Sequence, residues 1–379
     1  MHNYLLVASL STCELVQDEF YESSRAVDKW YAECVDTTNK IPFTWSKQQV
    51  IRWFQAKLKQ LNVSHLDLWS PSDMSRTWEG QDLDLGIEVK DVAGHFMVFE
   101  VFEQSPAYGL LQRGDEIIAI NQQPPQSVWQ IENAQGKFQV LRGERNFNVD
   151  LQKEKITFDF QPNLRAINAE TAVLTLKSFT PVYFDPLDWQ ALEQEMDAYE
   201  KLIIDLRGNT GGDFVVMLSM LSTFFCEQRE IGYLHRPKSK NDFSAVFSSN
   251  MDGVKQIELV NQVKIIALRT YNSQRCFVGD VAVLIDEETA STAEIFAYAI
   301  QSRKGTRVYG QYSAGAVLLA IWFPTAFGSD YSISIPVATY KTLQDQQIEG
   351  AGLMPDIFLD YDLKLLREGK DSWLGAVAN

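Results

Sequence analysis

The most constraining feature of this sequence is an alternation of short apolar runs with longer helical patterns between residues 171 and 301. The runs "AVLTLKSF", "KLIIDL", "VKIIAL" and "VAVLI" have the length and aliphatic content of strands, and segments such as "PLDWQALEQEMDAYE" and "FVVMLSMLSTFF" stand between them. This alternation predicts an α/β unit with a mostly parallel sheet, because parallel strands need crossover connections. Ligands of such sheets bind at the carboxyl ends of the strands, where "RGNTGGDF" and "DEETASTAE" are found.

Two helical segments are predicted at the start of the chain. In "STCELVQDEFYESSRAVDKWYAECV", apolar residues recur at three- and four-residue steps with one seven-residue gap, and Ser11 or Thr12 can cap the helix. In "TWSKQQVIRWFQAKLKQL", Ser46 and Gln49 fit a capping box. The polar segment that follows, "NVSHLDLWSPSDMSRTWEGQD", has no clean period and is predicted to be a loop.

A small β-rich domain is predicted from "LGIEVK" onward, where short β-type runs alternate with turns. Its last part, "KFQVLRGERNFNVDLQ", contains two strands that would pair through a turn near Gly143. The fold class is therefore α/β within a multidomain chain. The predicted domains are a helical segment that contributes a catalytic loop (1–80), the β-rich domain (81–155), the α/β core (156–365) and a C-terminal tail (366–379).

Composition narrows the classes of function. The net charge is -16, which argues against a nucleic-acid partner because phosphate contacts need a basic surface. The chain has four cysteines, Cys13, Cys34, Cys226 and Cys276, and their spacing is not that of a metal site. No metal or cofactor is therefore expected. The cysteines do not decide between an oxidising and a reducing compartment. No apolar run approaches the ~20 residues of a membrane helix. The short run "YLLVASLSTC" is expected to begin an ordinary helix or to be a signal remnant.

Several motifs resemble one known family. "VFEVFEQSPAYGLLQRGDEIIAIN" is similar to the second half of a PDZ domain. "LIIDLRGNTGG" and "ETASTAEIFAYAI" resemble the two signatures of the C-terminal-processing (tail-specific) serine peptidases and their relatives, the tricorn core proteases. The resemblance implies a core of the ClpP/crotonase type, peptidase activity on polypeptide substrates and an exported location, with a cytoplasmic one still open. The oligomeric state stays undetermined.

Ser291 is the candidate nucleophile. It stands at a predicted strand-to-helix turn, where a hydroxyl is presented and the N–H of Thr292 can point at a developing oxyanion. The alternative for such a serine is a simple N-cap, but the second signature favours the nucleophile. Gly211, and after it Gly212, would complete the oxyanion hole, because a glycine backbone can approach a substrate closely.

The general base that accepts the serine proton differs between the two branches of the family. In the tail-specific branch a lysine follows in a segment like "GxxTxGKG", whereas "GQYSAGAV" here places Ala316 at that position. The tricorn-like branch uses a histidine and a serine from the segment before the PDZ domain and a late glutamate. The resemblance then implies a Ser-His-Ser-Glu tetrad of Ser291, His65, Ser64 and Glu349. A neutral imidazole can accept and return the hydroxyl proton near neutral pH.

The PDZ-like domain is expected to bind peptides, since PDZ domains add an extended peptide to a sheet edge and hold its carboxylate in backbone amides. The candidate residues are Gly86, Ile87, Glu88 and Val89. Glu88 departs from the small or apolar residue usual there and could disfavour a nearby carboxylate.

Three functions follow from the sequence. The first is a serine endopeptidase that cleaves polypeptides, possibly near their C-termini, with substrate capture by the PDZ-like domain. The second is a catalytically silent peptide-binding relative, or a Ser/Lys enzyme whose lysine has become Ala316, natively or by replacement. The third is a carrier of apolar ligands on the same fold.

Overall fold

The computed structural model describes residues 2–239, 241–273, 275–328 and 331–378. Within these ranges, every helix is too short or too polar to span a bilayer. The helices are α1 (His2–Glu19), α2 (Arg25–Thr38), α3 (Lys47–Leu58), α4 (Pro71–Glu79), α5 (Val128–Glu132), α6 (Pro186–Met196), α7 (Phe214–Ser222), α8 (Gly253–Gln262), α9 (Thr292–Gln301), α10 (Leu363–Arg367) and α11 (Ser372–Ala378).

The strands are short, as the sequence patterns predict. They are β1 (Asp67–Trp69), β2 (Gln81–Asp84), β3 (Ile87–Val92), β4 (His95–Val101), β5 (Glu116–Ile120), β6 (Gly136–Arg142), β7 (Arg145–Leu151), β8 (Glu154–Thr157), β9 (Asn163–Ala166), β10 (Thr171–Thr175), β11 (Lys201–Asp205), β12 (Glu230–His235), β13 (Ser244–Val246), β14 (Ile265–Arg269), β15 (Asp280–Ile285), β16 (Arg307–Gly310), β17 (Leu319–Pro324), β18 (Ser332–Lys341) and β19 (Ile357–Phe358).

The chain folds into two units. The first contains Met1–Pro71 and Gln161–Asp356, and the second contains Ser72–Phe160 and Ile357–Asn379. The sequence patterns put residues 357–365 in the α/β core, whereas their packing groups them with the second unit. The tail predicted for 366–379 includes α11, in which Trp373 is buried.

The first unit contains the predicted parallel sheet. Strands β10, β11, β15 and β16 are parallel neighbours in that order, and β9 adds an antiparallel edge to β10. Nearly every residue of β11 and β15 is buried, which explains why they read as continuous apolar runs. The α/β class and the mostly parallel sheet are thus confirmed, and the carboxyl ends of β11 and β15 lie side by side.

A second sheet of the first unit has the strand order β1-β18-β12-β14-β13, with β17 paired to β18. The run "VKIIAL" forms β14 in this sheet, antiparallel to β12, and not in the parallel sheet. An apolar run shows that a strand is buried but not which strand it pairs with. Here the segment between α7 and β15 supplies β12 as the partner of β14.

The N-terminal helices pack on the second sheet. Their buried side chains form a cluster that includes Phe20, Phe54 and Ile333 of β18. The first predicted helix is in fact two, because Ser24 caps α2 within the seven-residue gap between Phe20 and Val27. A disulfide between Cys13 and Cys34 joins α1 to α2.

Two N-terminal details bear on the sequence predictions. The capping box of Ser46 and Gln49 at the start of α3 is confirmed, with both of its hydrogen bonds formed. The segment "NVSHLDLWSPSDMSRTWEGQD" is only partly the predicted loop, because it contains α4 and the strand β1, which begins two residues after His65 and pairs antiparallel with β18. The indole N–H of Trp69 donates a hydrogen bond of 2.8 Å to the Ser334 hydroxyl. The N-terminal segment therefore returns to the same unit that holds Ser291.

The second unit is a small β-rich fold. Its antiparallel sheet has the order β3-β4-β5-β6-β7, so β3 is an edge strand among the described residues, and α5 packs against it. β6 and β7 pair through the predicted turn at Gly143. Leu366 of α10 packs with buried residues of β3 and β4, and the rings of Tyr361 and Trp373 stack at 4.2 Å.

Candidate active site

The turn between β15 and α9 presents Ser291. The fully buried carboxylate of Asp286 accepts hydrogen bonds from the backbone N–H groups of Gly208 (3.0 Å) and Thr289 (3.1 Å), which ties this turn to the one after β11. Ser291 has a φ of 59°, a conformation that non-glycine residues rarely adopt. Such strain persists where the surrounding contacts impose it, and it is concentrated at functional sites.

The glycine turn after β11 closely approaches Ser291. A Cβ added to Gly211 would lie 2.6 Å from the Ser291 Cβ and 3.1 Å from its Oγ, so only glycine fits there. The N–H of Gly211 donates a 2.8 Å hydrogen bond to the side-chain oxygen of Asn209. The N–H of Gly212 has no acceptor among the described residues. Thr292 is the first residue of α9, where a helix leaves its N–H groups without an internal partner.

Ser64, His65 and Glu349 form a continuous hydrogen-bonded relay. The His65 Nδ1 lies 3.0 Å from the Ser64 Oγ, which in turn lies 3.0 Å from the Glu349 Oε2. The Ser64 N–H donates to the other carboxylate oxygen at 3.1 Å, and the Val317 N–H donates to Oε2 at 2.8 Å. Residues 285 positions apart in sequence are therefore brought into contact.

The relay fixes the tautomer of His65. The Ser64 hydroxyl has one proton, which it donates to the Glu349 carboxylate, so it accepts from the imidazole Nδ1–H. The Nε2 of His65 then keeps its lone pair and can act as a base. Burial lowers the pKa of His65 from 6.5 to about 4, so the ring is neutral at neutral pH.

Within the part of the chain that the structure describes, no hydrogen bond joins the Ser291 hydroxyl to the His65 ring. The two groups are linked through consecutive residues of the segment 313–317. The Ala316 N–H is bound by Glu294, one turn after Ser291, and the Val317 N–H is bound by Glu349 of the relay. Catalytic hydrogen bonds are often long in unliganded enzymes and shorten when substrate binds.

Position 316 offers no base. Its alanine contributes only a backbone N–H, which donates to Glu294 at 2.7 Å. Lys304, the nearest lysine after Ser291 in sequence, lies on the surface.

The candidate peptide-binding residues lie at the start of β3 in the second unit. Gly86 has a φ of 76°, and a Cβ there would overlap the Ser105 side chain at 2.0 Å. Its N–H donates to the carboxylate of Asp84 at 2.8 Å. Ile87 and Val89 are buried core residues, and Glu88 is half-buried opposite Glu100 of β4.

Sequence reasoning missed two polar side chains beside the nucleophile. Glu294 and Ser313 are both buried, and they are hydrogen-bonded to each other. Glu294 could have been found, because a glutamate three residues after a serine at the start of a helix is the signature of a capping box. Ser313 carries no comparable signal.

The serine turn, the glycine turn and the histidine relay all lie in the first unit, at residues that the family signatures single out. The profile of peptidase family S41 matches residues 170–359, about half of the chain. This chain belongs to peptidase family S41.

Curated relatives agree with this family. A probable CtpA-like serine protease of Staphylococcus aureus (strain N315) is 23% identical over 232 residues, which cover 60% of this chain and 41% of the relative. A protein of the same description from Staphylococcus saprophyticus is 21% identical over 292 residues, covering 73% of this chain and 53% of the relative. The chain thus spans about half or less of the length of these relatives.

Solved structures share the fold at low sequence identity. A photosystem II D1 C-terminal processing protease is 17% identical with a TM-score of 0.57, covering 96% of both chains. Mature CPAF complexed with lactacystin is 13% identical with a TM-score of 0.67, covering 99% of this chain and 97% of that one. The tricorn protease is 14% identical with a TM-score of 0.54, covering 99% of this chain and 36% of that one.

Proposed function

We propose that this chain is a serine endopeptidase in which Ser291 is the nucleophile and His65 the general base. The observation that carries the proposal is the relay from the His65 Nδ1 through the Ser64 hydroxyl to Glu349. Such a third group orients the imidazole and stabilises the imidazolium that forms during catalysis. The absence of a lysine at position 316 agrees with it, because the site then needs another base.

The reaction follows the general scheme of acyl transfer. His65 Nε2 takes the proton of the Ser291 hydroxyl as Oγ attacks the scissile carbonyl, and the imidazolium then protonates the leaving amine. The acyl-enzyme ester is hydrolysed by a water that gives its proton to the same nitrogen. Glu349 acts on the ring through the Ser64 hydroxyl.

The oxyanion would be held by backbone donors. The candidate donors are the Thr292 N–H at the start of α9 and the glycine turn, in which Gly211 closely approaches Ser291. The Gly212 N–H is the better donor of the two glycines, because the Gly211 N–H is bound to Asn209. A donor of this kind contributes about 3 to 4 kcal/mol to transition-state stabilisation.

A serine-directed phosphonate probe and a peptidase assay test the proposal. Ser291→Ala and His65→Ala should each abolish labelling and lower kcat by about 10⁴-fold or more. Glu349→Gln should lower kcat by about 10²- to 10⁴-fold with a smaller change in KM, because it acts on the base and not on bound substrate. Restoring a lysine by Ala316→Lys should not be needed for activity.

The same assay separates the alternatives. Retained hydrolysis in His65→Ala would remove the tetrad, because the Ser291 hydroxyl would then give its proton to a base other than His65. Absence of labelling in the wild-type protein would favour a silent peptide-binding protein or a carrier of apolar ligands.

For the second unit, we propose that the PDZ-like sheet edge captures internal polypeptide segments in preference to free C-termini. The support is the Asp84 carboxylate, which is buried and already accepts the N–H of Gly86 in the loop that would hold a carboxylate. A second carboxylate there would have to compete with Asp84 for the Gly86 N–H. Binding of peptides with free or amidated C-termini to the Ser291→Ala protein tests this, and clearly tighter binding of the free form would contradict it.

We also propose that the protein works in an oxidising compartment, as an exported protein would. All four cysteines are paired, as Cys13–Cys34 and Cys226–Cys276. Disulfides persist mainly in exported proteins. The Cys13–Cys34 bridge closes a 21-residue separation and should contribute about 3 kcal/mol to the free energy of unfolding. Thiol titration of the unfolded, unreduced protein should detect no free thiol; four free thiols would contradict the proposal.

A further inference from the structure

Glu294 is a fully buried carboxylate that the proposed tetrad does not use. Its Oε1 accepts from the Ser313 hydroxyl and from the Gly315 N–H at 2.8 Å. Its Oε2 accepts from the Ser291 N–H at 3.1 Å and the Ala316 N–H at 2.7 Å. Four donors therefore converge on two oxygens, an arrangement that an ionised carboxylate satisfies fully, because it only accepts hydrogen bonds.

The surroundings of Glu294 set two opposing influences on its pKa. Burial raises the pKa of Glu294 above its usual value, and the four donors, from Ser313 and three backbone amides, only partly offset this rise. A buried carboxyl group is expensive to place unless its hydrogen bonds are complete. Burying the Glu294 carboxyl group therefore costs free energy, and the group lies beside the candidate nucleophile.

The carboxylates of Glu294 and Glu349 accept hydrogen bonds from consecutive backbone amides of the segment 313–317. Glu294 holds the Ala316 N–H, and Glu349 holds the next N–H, that of Val317. The segment is also fixed to the Glu349 loop, since the Gly350 N–H donates to the Gly315 carbonyl at 2.8 Å. The segment 313–317 is therefore a hydrogen-bonded bridge between the turn that carries Ser291 and Glu349 at the end of the relay.

We propose that Glu294 is a positioning residue that sets the distance between Ser291 and the Glu349-Ser64-His65 relay. One of its oxygens holds the backbone of the nucleophile itself, and the same oxygen holds the bridge on which Glu349 rests. The bridge carries no lysine side chain, and its backbone N–H groups make the link between the two halves of the site. This inference rests on the proposed peptidase function.

Kinetics of Glu294→Gln test the proposal. Whichever way the amide is turned, its NH2 group faces a backbone N–H, so at least one hydrogen bond is lost without a change of size. We expect kcat to fall about 10-fold or more with KM changed less than about twofold. Glu294→Asp keeps the charge but is too short to span both partners, so it should not restore kcat. Glu193→Gln, which alters a carboxylate bound to Thr223 away from the site, should leave kcat unchanged.

A double-mutant cycle separates positioning from general destabilisation. If Glu294 acts through the bridge to Glu349, then Glu294→Gln should lower kcat much less in a Glu349→Gln background than in the wild type. Equal losses in both backgrounds, or an unchanged kcat in Glu294→Gln and Glu294→Asp, would overturn the proposal. If Glu294→Gln does not fold, the Glu294→Asp cycle decides in the same way.

Hydrogen exchange keeps the inference distinguishable from the peptidase proposal. The amides of Ala316 and Val317 should be protected in the wild type, and Ala316 should lose protection in Glu294→Gln, whether or not the protein hydrolyses peptides. Unchanged protection would overturn the bridge. A wild type that shows this pattern but has no activity would overturn the proposed function, and the catalytic role of Glu294 with it.

Discussion

At the scale of single residues, the site is built around two strained positions. His65 and Ser291 both have a φ of 59°, and neither is glycine. Surrounding contacts must hold these two conformations. At Ser291 they are the hydrogen bonds of Asp286 and Glu294, and at His65 they are those of the Ser64-Glu349 relay. The proposed nucleophile and the proposed base are thus also the residues that carry the backbone strain.

The buried His65 predicts the acid limb of the pH profile. Because burial lowers its pKa to about 4, the ring should remain an unprotonated base well below pH 6.5. We expect kcat/KM to stay constant from pH 7 to about 5 and to be half-maximal near pH 4. His95→Gln in the second unit is the control and should not move this limb. A midpoint near 6.5 would show that His65 is not the titrating base.

The same pKa shift affects stability. An unfolded chain has a histidine pKa near 6.5, so between pH 6.5 and 4 the unfolded state binds a proton that the folded state does not. The contribution of His65 to stability is therefore complete above pH 6.5 and is lost as the pH falls toward 4.

Gly211 provides a second prediction at this scale. Gly211→Ala would place a Cβ 2.6 Å from the Ser291 Cβ at a φ of 99°, so Ser291 or the turn must shift. We expect a loss of about 1 to 3 kcal/mol in stability and a fall in kcat of about 100-fold. Gly305→Ala is the matched control, since its φ is also positive but a Cβ there meets nothing within 4 Å. A similar kcat for the two variants would remove Gly211 from the oxyanion region.

The parts of the site that could be predicted from the sequence are those formed by residues close together in the chain. Ser291 and Gly211 belong to short contiguous motifs at strand ends, so their neighbourhood is encoded locally. The contact of Ser64 with Glu349 spans 285 positions, and only the family resemblance suggested it. Glu294 carries a capping-box signature, but its contacts with the backbone amides of Gly315 and Ala316 have no side-chain signal in the sequence.

At the scale of elements, the short strand β1 fixes the chain next to His65. It pairs with β18 for three residues, and the buried Ser334 accepts from both the Trp69 indole (2.8 Å) and the Asp67 N–H (3.2 Å). The sequence patterns read this stretch as a loop, since a three-residue strand has no measurable period. Its stability comes from the partner strand, which a reading of local sequence does not include.

Removing that anchor should weaken catalysis. Ser334→Ala leaves the Trp69 and Asp67 donors without their acceptor, which should cost about 1 to 3 kcal/mol of stability. We expect kcat to fall with it, because β1 begins two residues after His65. Ser332→Ala on the same strand lacks these contacts and should change neither quantity appreciably. Chemical denaturation and steady-state kinetics of both variants measure the effect, and an unchanged kcat in Ser334→Ala would mean that β1 does not position the base.

At the scale of the whole molecule, the candidate catalytic residues lie in one unit although their sequence positions lie on both sides of the other. Ser64 and His65 precede the second unit, and Ser291 and Glu349 follow most of it. Sequence patterns could not predict that residues 357–379 pack with the β-rich unit. The pairing of four cysteines was also open, since four cysteines allow three connectivities.

This division predicts that the second unit affects substrate capture and not the chemistry. Gly86→Ala would force a Cβ to within 2.0 Å of the Ser105 side chain and disturb the start of β3, the edge strand proposed to bind polypeptide. KM for a long unfolded polypeptide should rise severalfold, whereas kcat/KM for a short peptide should be unchanged. Gly94→Ala is the matched control, since Gly94 adjoins the same sheet and also has a positive φ, but a Cβ there meets nothing within 4 Å. Its kinetic constants for both substrates should equal those of the wild type. Equal losses on short and long substrates in Gly86→Ala would instead mean that the second unit supports the catalytic unit directly.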